Sequence, residues 1–247
     1  MKRFIRKILE KRGYEIRQIE TVTGRMDVSL RHLKAQGLTC QNILDVGANR
    51  TKWSRLAQSI FQEATFSLIE PQEEMMSYLE EFCKEFPKST YFLAGAGANE
   101  ATKTLTIWDD LQGSSFLPDQ NLKLKQEGKQ RQIEMITIDG LIETKKIKIP
   151  ELMKLDIQGF ELEALKGAKK TFGTTEVYIL EVALFPFDDL MNLPVFSDVI
   201  NFMLERNYVV YNFAGFLRRP LDGALGQCDI CFVKKDGFLR RSNAWGL

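Results

Sequence analysis

An open, mainly parallel β-sheet with helices on both faces is the fold class that this 247-residue sequence predicts. Three observations lead there. Short apolar runs read as strands: NILDV (42–46), ATFSLIE (64–70), ELMKLDIQG (151–159) and EVYILEVAL (176–184). Segments with helical spacing separate them, and such β/α alternation builds a parallel sheet. Four acidic residues, Asp45, Glu70, Asp156 and Glu181, fall at or near the carboxyl ends of these strands, where ligands sit in such sheets.

Residues 1–12 predict an amphipathic helix, with Phe4, Ile5, Ile8 and Leu9 on one face and Lys and Arg around it. A solvated helix packed on the domain is the expectation, and a membrane-surface helix the alternative. Residues 1–40 form an N-terminal helical segment in this reading, and 41–247 the main domain. After the second strand, Pro71 suits the first turn of a helix, which carries Met75, Leu79, Phe82 and Phe86 at helical spacing. STYFLAGA (89–96) reads as a third strand. KTLTIWDD and RQIEMITID read as a hairpin or added strands around a polar stretch, 111–132, that predicts a mobile loop or lid. FELEALKGAKKTF predicts a helix with Gly173 as its stop signal. A helix over 195–206 and the strands NYVVYNFAG and QCDICFVKK complete the chain.

Hydrophobic residues make up 44% of the chain, enough for a substantial core, and 34 basic residues balance 33 acidic ones. That balance argues against general nucleic-acid binding. No apolar run approaches ~18 residues, so no transmembrane helix is predicted. The basic N-terminus lacks the apolar stretch of a signal peptide, which points to the cytoplasm and to reduced thiols. Cys228 and Cys231 form a C-x-x-C inside an alternating run, and the single histidine, His32, is far away in sequence. Two strand cysteines without chemistry are therefore expected, and His32 reads as a surface helix residue.

The first strand hands over through Gly47-Ala48-Asn49-Arg50-Thr51. A dinucleotide site would need the later glycines of G-x-G-x-x-G, which are missing, and Asp45 would bring negative charge towards a phosphate. S-adenosylmethionine carries no phosphate. Asp45 can hold its ammonium, the N–H groups of the turn its carboxylate, and Glu70 both ribose hydroxyls.

ILDVGANRTKWS, LIEP, LAGAGANEATKTLTI, SSF, ITIDGLI, MKLDIQGFELEALKGA and YILEVALFP occur in the order seen in FkbM-type methyltransferases, and over residues 40–185 the chain resembles that family. The resemblance implies a class I methyltransferase, Rossmann-like fold whose last strand is antiparallel. It also implies S-adenosylmethionine as donor and O-methylation of a hydroxyl on a sugar, glycan or secondary metabolite. Matched motif by motif, it assigns the donor to Asp45, Gly47, Ala48, Asn49, Glu70, Pro71, Gln72, Gly95 and Ala96. It assigns the acceptor to Ser114, Ser115, Gln158 and Glu181. Two positions depart from the family pattern. Thr51 stands where a glycine is usual, adding a Cβ at the helix start. Gln158 stands for a glutamate, removing a charge near the reacting centre.

Methyl transfer is an in-line displacement, so the protein must align the acceptor oxygen and help remove its proton. Asp156, on the strand expected beside that of Asp45, is the candidate for that role; its alternative is a cap for the following helix. Glu181 lies in an apolar strand and needs a partner. With Asp156 it would either hold a divalent ion, an arrangement short of ligands and not expected, or bind sugar hydroxyls directly. Trp108, Phe116, Phe185 and Phe187 could wall a sugar-sized pocket. Three rival readings are a nicotinamide-dependent oxidoreductase, a non-catalytic S-adenosylmethionine-binding module, and a methyltransferase acting on protein or nucleic acid.

Overall fold

The chain is described here from a computed structural model covering residues 22–117, 121–186 and 193–246. The predicted helix over 1–12 and Phe187 lie outside the described residues. In chain order the elements are α1 (Met26–Ala35), β1 (Asn42–Val46), α2 (Lys52–Ile60), β2 (Thr65–Ile69), α3 (Met76–Glu85), β3 (Thr90–Phe92), β4 (Gly95–Ala96) and β5 (Ala101–Thr106). There follow α4 (Leu122–Gln126), β6 (Gln130–Ile136), α5 (Ile138–Glu143), β7 (Leu152–Leu155), α6 (Glu161–Lys166), β8 (Val177–Ala183), α7 (Phe196–Leu204), β9 (Tyr208–Arg218) and β10 (Leu225–Lys234).

Seven strands form one sheet in the order β3-β2-β1-β7-β8-β10-β9. β10, the last in the chain, runs antiparallel to both its neighbours, and the pairs among β3, β2, β1, β7 and β8 are parallel. This is the Rossmann-like class I arrangement with its antiparallel last strand. Successive side chains on a strand point to opposite faces. Ile43, Leu152, Val177 and Ile179 therefore pack against α1, α2 and α3, through Leu30, Leu33, Ala57, Leu79 and Phe82. Leu44, Met153, Tyr178 and Leu180 pack on the other face against α5, α6 and α7, through Leu141, Ala164, Val199 and Met203. The same period separates the two cysteines of C-x-x-C. Cys228 joins one core and Cys231 the other, both as free thiols.

Three sequence-level boundaries shift. The strand expected over 89–96 divides into β3 in the main sheet and β4 in a small second sheet of order β4-β6-β5. The helix expected to run to Gly173 stops at Lys166, followed by a 3-10 turn, Lys169–Thr171. It stops there because the chain must pass close to Gly97: a Cβ on Gly167 would lie 2.1 Å from that carbonyl oxygen. The polar stretch 111–132 contains α4 and the first residues of β6. No helix among the described residues is long and apolar enough to cross a membrane.

The pairing of β1 with β7 sets the one glycine that the first turn cannot lose. Gly47 adopts φ +83°, and a Cβ there would meet the Asp156 carbonyl oxygen at 2.0 Å. Gly173 has nearly the same φ, +82°, with nothing within 4 Å of an added Cβ. Gly173→Ala should therefore cost only the left-handed backbone penalty, about 1 kcal/mol. Gly47→Ala should cost about 3 kcal/mol or more, because β1 and β7 must separate to admit it. Urea denaturation of the two variants measures the difference.

Candidate functional site

A cleft of about 940 Å³, open to solvent, lies at the carboxyl ends of β1, β2 and β7.

One end is built by the β1–α2 turn. Its N–H groups are spent inside the protein. Gly47 and Ala48 donate to the Ile69 carbonyl at 2.8 and 3.2 Å, and Thr51 donates to Ala48. Arg50 N–H donates to the Asn49 side chain, and Asn49 N–H donates to Glu70 Oε2 at 2.8 Å. The turn thus grips the end of β2, and its N–H groups are not offered to an anion as the sequence reading expected. What faces the cleft instead is cationic: Arg50 and Lys52 line it, and Arg50 Nε is buried without a hydrogen-bond partner. Asn49 and Thr51 hold left-handed conformations, φ +44° and +57°. For the β-branched Thr51 this is strained, and its buried hydroxyl has no partner. The departure from glycine at this position is therefore a conformational matter.

Glu70, just beyond β2, is 2% exposed. Its Oε1 accepts from the Gln72 N–H at 3.0 Å and the Gln72 side-chain amide at 3.3 Å. Burial pushes its carboxyl upward, opposed by the N–H groups of Gln72 and Asn49. Gln72 and Asn49 also both donate to the Leu111 carbonyl, at 3.0 and 2.9 Å, which ties the start of the polar insert to the cleft.

The other end is a cluster of buried charge. Lys154, in β7, is 5% exposed, and its Nζ lies 2.8 Å from Asp156 Oδ2 and 5.7 Å from the centre of the Trp53 ring. Burial alone would lower its pKa. The Asp156 and Asp45 carboxylates more than reverse this and keep the ammonium charged. Gln158 donates from one amide nitrogen to Asp156 Oδ1 at 3.0 Å and to Glu181 Oε2 at 2.7 Å. Burial would raise Asp156, but the Lys154 ammonium and hydrogen bonds from Lys154, Glu181 and Gln158 hold it below the usual carboxylate range. Glu181 is pushed well above that range, by burial and then by the Asp156 and Glu161 carboxylates. The two carboxyls are thus pushed in opposite directions, Asp156 towards ionisation and Glu181 towards protonation.

Asp45 accepts a hydrogen bond from Ser54 and is fully buried below the cleft, which it does not line. Burial pushes its carboxyl up, against the pull of Lys154. Gly47, Ala48, Asn49, Glu70, Pro71, Gln72, Asp156, Gln158, Glu181 and Ser114 all reach the cleft wall. Gly95 and Ala96 do not, because they form β4 in the small sheet. Ser115 donates to the Gln158 carbonyl at 2.8 Å and lines a neighbouring cavity. Of the four aromatic candidates, Phe116 lines the cleft, Trp108 lies beside Lys129, and Phe185 lies beside Arg219. His32 bonds Tyr211 on the far strand β9. Among the described residues no three His, Cys, Asp or Glu side chains converge as metal ligands; Lys154 supplies the positive charge between the carboxylates.

Three residues were not singled out as site residues from the sequence. Lys154 was findable, since a lysine inside an apolar strand needs a partner as much as Glu181 does. Arg50 carried no signal beyond its place in the turn. Glu161, inside the helix read from FELEALKGAKKTF, is buried, and its Oε1 accepts from the N–H groups of Ile157 and Gly159 at 2.9 and 3.3 Å. Those bonds hold Gln158 between them at φ +53°.

A family model, the Methyltransferase FkbM domain, matches residues 45–210. No curated protein matches the sequence. Among solved structures, the methyltransferase FkbM from Methylobacillus flagellatus KT is 18% identical with a TM-score of 0.51, over 84% of this chain and 48% of that one. The chain thus spans about half the length of that relative. Precorrin-6y C5,15-methyltransferase from Geobacter metallireducens GS-15 is 14% identical with a TM-score of 0.46, over 88% and 92% of the two chains. A Burkholderia thailandensis 1,6-didemethyltoxoflavin-N1-methyltransferase, solved with S-adenosylhomocysteine, is 7% identical with a TM-score of 0.47, over 85% and 79%.

The buried carboxyls give the fold an inverted pH dependence. Burial raises Glu161 to about 7 and Asp229 to about 6, the latter opposed by Lys154. A carboxyl raised in the folded state binds more protons there than in the unfolded chain. Its contribution is present below the unfolded pKa of about 4 and is lost as pH rises through the folded value. Between about pH 4.5 and 7 these groups make stability fall as pH rises. Glu161→Gln should flatten that slope in denaturant melts followed across the window. Thr51→Gly should raise the midpoint at every pH by relieving the left-handed strain, on the order of 1 kcal/mol.

Proposed function

The chain belongs to the FkbM methyltransferase family, and on that premise we propose that it O-methylates a hydroxyl of a sugar, glycan or secondary metabolite. Membership implies S-adenosylmethionine as the methyl donor, and the cleft residues fit it. Glu70 presents a carboxylate where two ribose hydroxyls can donate. Arg50, with its buried unpartnered Nε, supplies a cation for the methionine carboxylate. Asp156 and Glu181 lie along the same cleft for the acceptor. A nicotinamide dinucleotide fits less well, because the turn's N–H groups, which would cradle a pyrophosphate, are already bonded.

The observation that carries the reading is the Asp156–Gln158–Glu181 chain at the cleft wall. When bound, the donor supplies an electrophilic methyl group. The protein's own part is to place a hydroxyl and receive its proton. An ionised Asp156 accepts that hydrogen bond and can take the proton as the oxygen becomes nucleophilic. Lys154 keeps Asp156 charged, and Gln158 fixes its other oxygen. The insert over 111–132 is the proposed lid: Gln112, Ser114 and Phe116 from its start line the cleft, and Asn49 and Gln72 hold its Leu111 carbonyl.

Calorimetry should show S-adenosylhomocysteine binding in about the micromolar range, weakened by Arg50→Met by about 1–3 kcal/mol through a lost charged hydrogen bond. With labelled donor and a panel of hydroxylated acceptors, Asp156→Asn should reduce methyl transfer by ~10²–10⁴ while S-adenosylhomocysteine affinity stays nearly unchanged. Turnover at the wild-type rate in Asp156→Asn removes it as the base.

A further inference from the structure

A second cavity, about 600 Å³, lies against the first, and the two share Gln158 and Glu181 as lining residues. Resting on the methyl-donor reading above, we propose that this second cavity seats the methyl acceptor, and that it takes neutral polyhydroxyl or amine-bearing acceptors while rejecting carboxylated or phosphorylated ones.

Its position argues for the seat. Gln158 and Glu181 form the partition between the cavities, so a group entering from the second side meets Asp156 and Glu181 across it. The walls are of two kinds. Ala183, Val199, Leu193 and Pro194 give an apolar side, suited to the C–H face of a ring or an aliphatic chain. The polar side chains of Gln158, Glu161, Glu181 and Gln227 complete the lining. The Gln158 side-chain nitrogen is committed to two carboxyls, but the side-chain oxygen, Oε1, accepts no bond from a described residue and remains for a hydroxyl or ammonium. Glu161 is 4% exposed; only its Oε1 is taken, by two backbone N–H groups.

Charge argues for the class. Among the described residues no lysine, arginine or histidine lines this cavity, which carries two glutamates, and Asp156 lies just across the partition. Lys154, the cation behind them, is already held by Asp156 and Asp45. An anionic acceptor would give up its water in a half-buried space with no cation of its own, with the Asp156 carboxylate just across the partition, and an anion left unpaired in that way is rejected.

The test loads the protein with S-adenosylhomocysteine and titrates three probes that share one ring, methyl glucoside, glucosamine and glucuronate, by ligand-observed NMR. The neutral and amine probes should bind, and glucuronate should bind at least about tenfold more weakly. Ala183→Phe fills the cavity beside Glu181 and should abolish probe binding while leaving S-adenosylhomocysteine affinity within about twofold. Gln227→Arg, on the strand paired with Ala183, brings in a cation and should narrow or reverse the bias against glucuronate. Three results overturn the proposal: glucuronate bound as tightly as the glucoside, neither neutral nor amine probe bound at millimolar concentration, or probe binding indifferent to both substitutions. With S-adenosylhomocysteine still bound, any of these fails this inference alone. A wild-type protein that never binds S-adenosylhomocysteine fails the donor reading and this one with it.

Discussion

A single buried ammonium, Lys154, sets the terms for the rest of the site. It stands in β7 at the middle of the sheet, with Asp45 on one neighbouring strand and Asp156 two residues on. Removing a charge from water costs several kcal/mol unless partners are fixed in place. The sheet fixes them. β1 and β7 pair in parallel with Asp45 opposite Lys154, so register alone brings the two charges together. The same pairing presses the Asp156 carbonyl against Gly47. One glycine suffices in the first turn because one close approach demands it.

From that anchor, ionisation follows by position. Lys154 favours the charged form of Asp156, and an ionised Asp156 in turn disfavours charge on Glu181. Two carboxyls close together are thus pushed apart in acidity by their surroundings. The first turn follows a parallel logic. By spending its N–H groups on Ile69 and Glu70, it locks β2 against β1 and orients Glu70. The cation that this turn brings to the cleft is then a side chain, Arg50. Rigidity of the turn and availability of its N–H groups compete, and rigidity has won.

The fold was legible because its signals are periodic. Apolar runs separated by helical spacing place β1, β2, β7 and β8, and the carboxylates at their ends mark the cleft. Asp45 beside Asp156 was also foreseeable, since the strand order of such sheets sets these two strands together. What was not legible depends on directions that no spacing encodes. Asp45 points below the cleft because it shares the face of Ile43, on the side of α2, where Ser54 meets it. Gly95 and Ala96 left the main sheet because the chain turns after β3, and an apolar run gives no warning of a change of sheet. Glu161 carries no mark in the sequence that sets it apart from the other charged residues of its helix, and only the fold reveals that it caps the turn before that helix.

Gln158 brings these threads together. A glutamate at this position would stand as a third carboxyl between Asp156 and Glu181, and the one ammonium nearby is already shared. An amide has the same reach and donates two hydrogens, one to each carboxyl. Its left-handed backbone, held by the bonds from Ile157 and Gly159 to Glu161, aims those hydrogens at both oxygens at once. The substitution that removes a charge from the family pattern is therefore matched to its surroundings. Lys154 is left to govern Asp156, and the partition between the two cavities becomes a neutral, hydrogen-bonded wall.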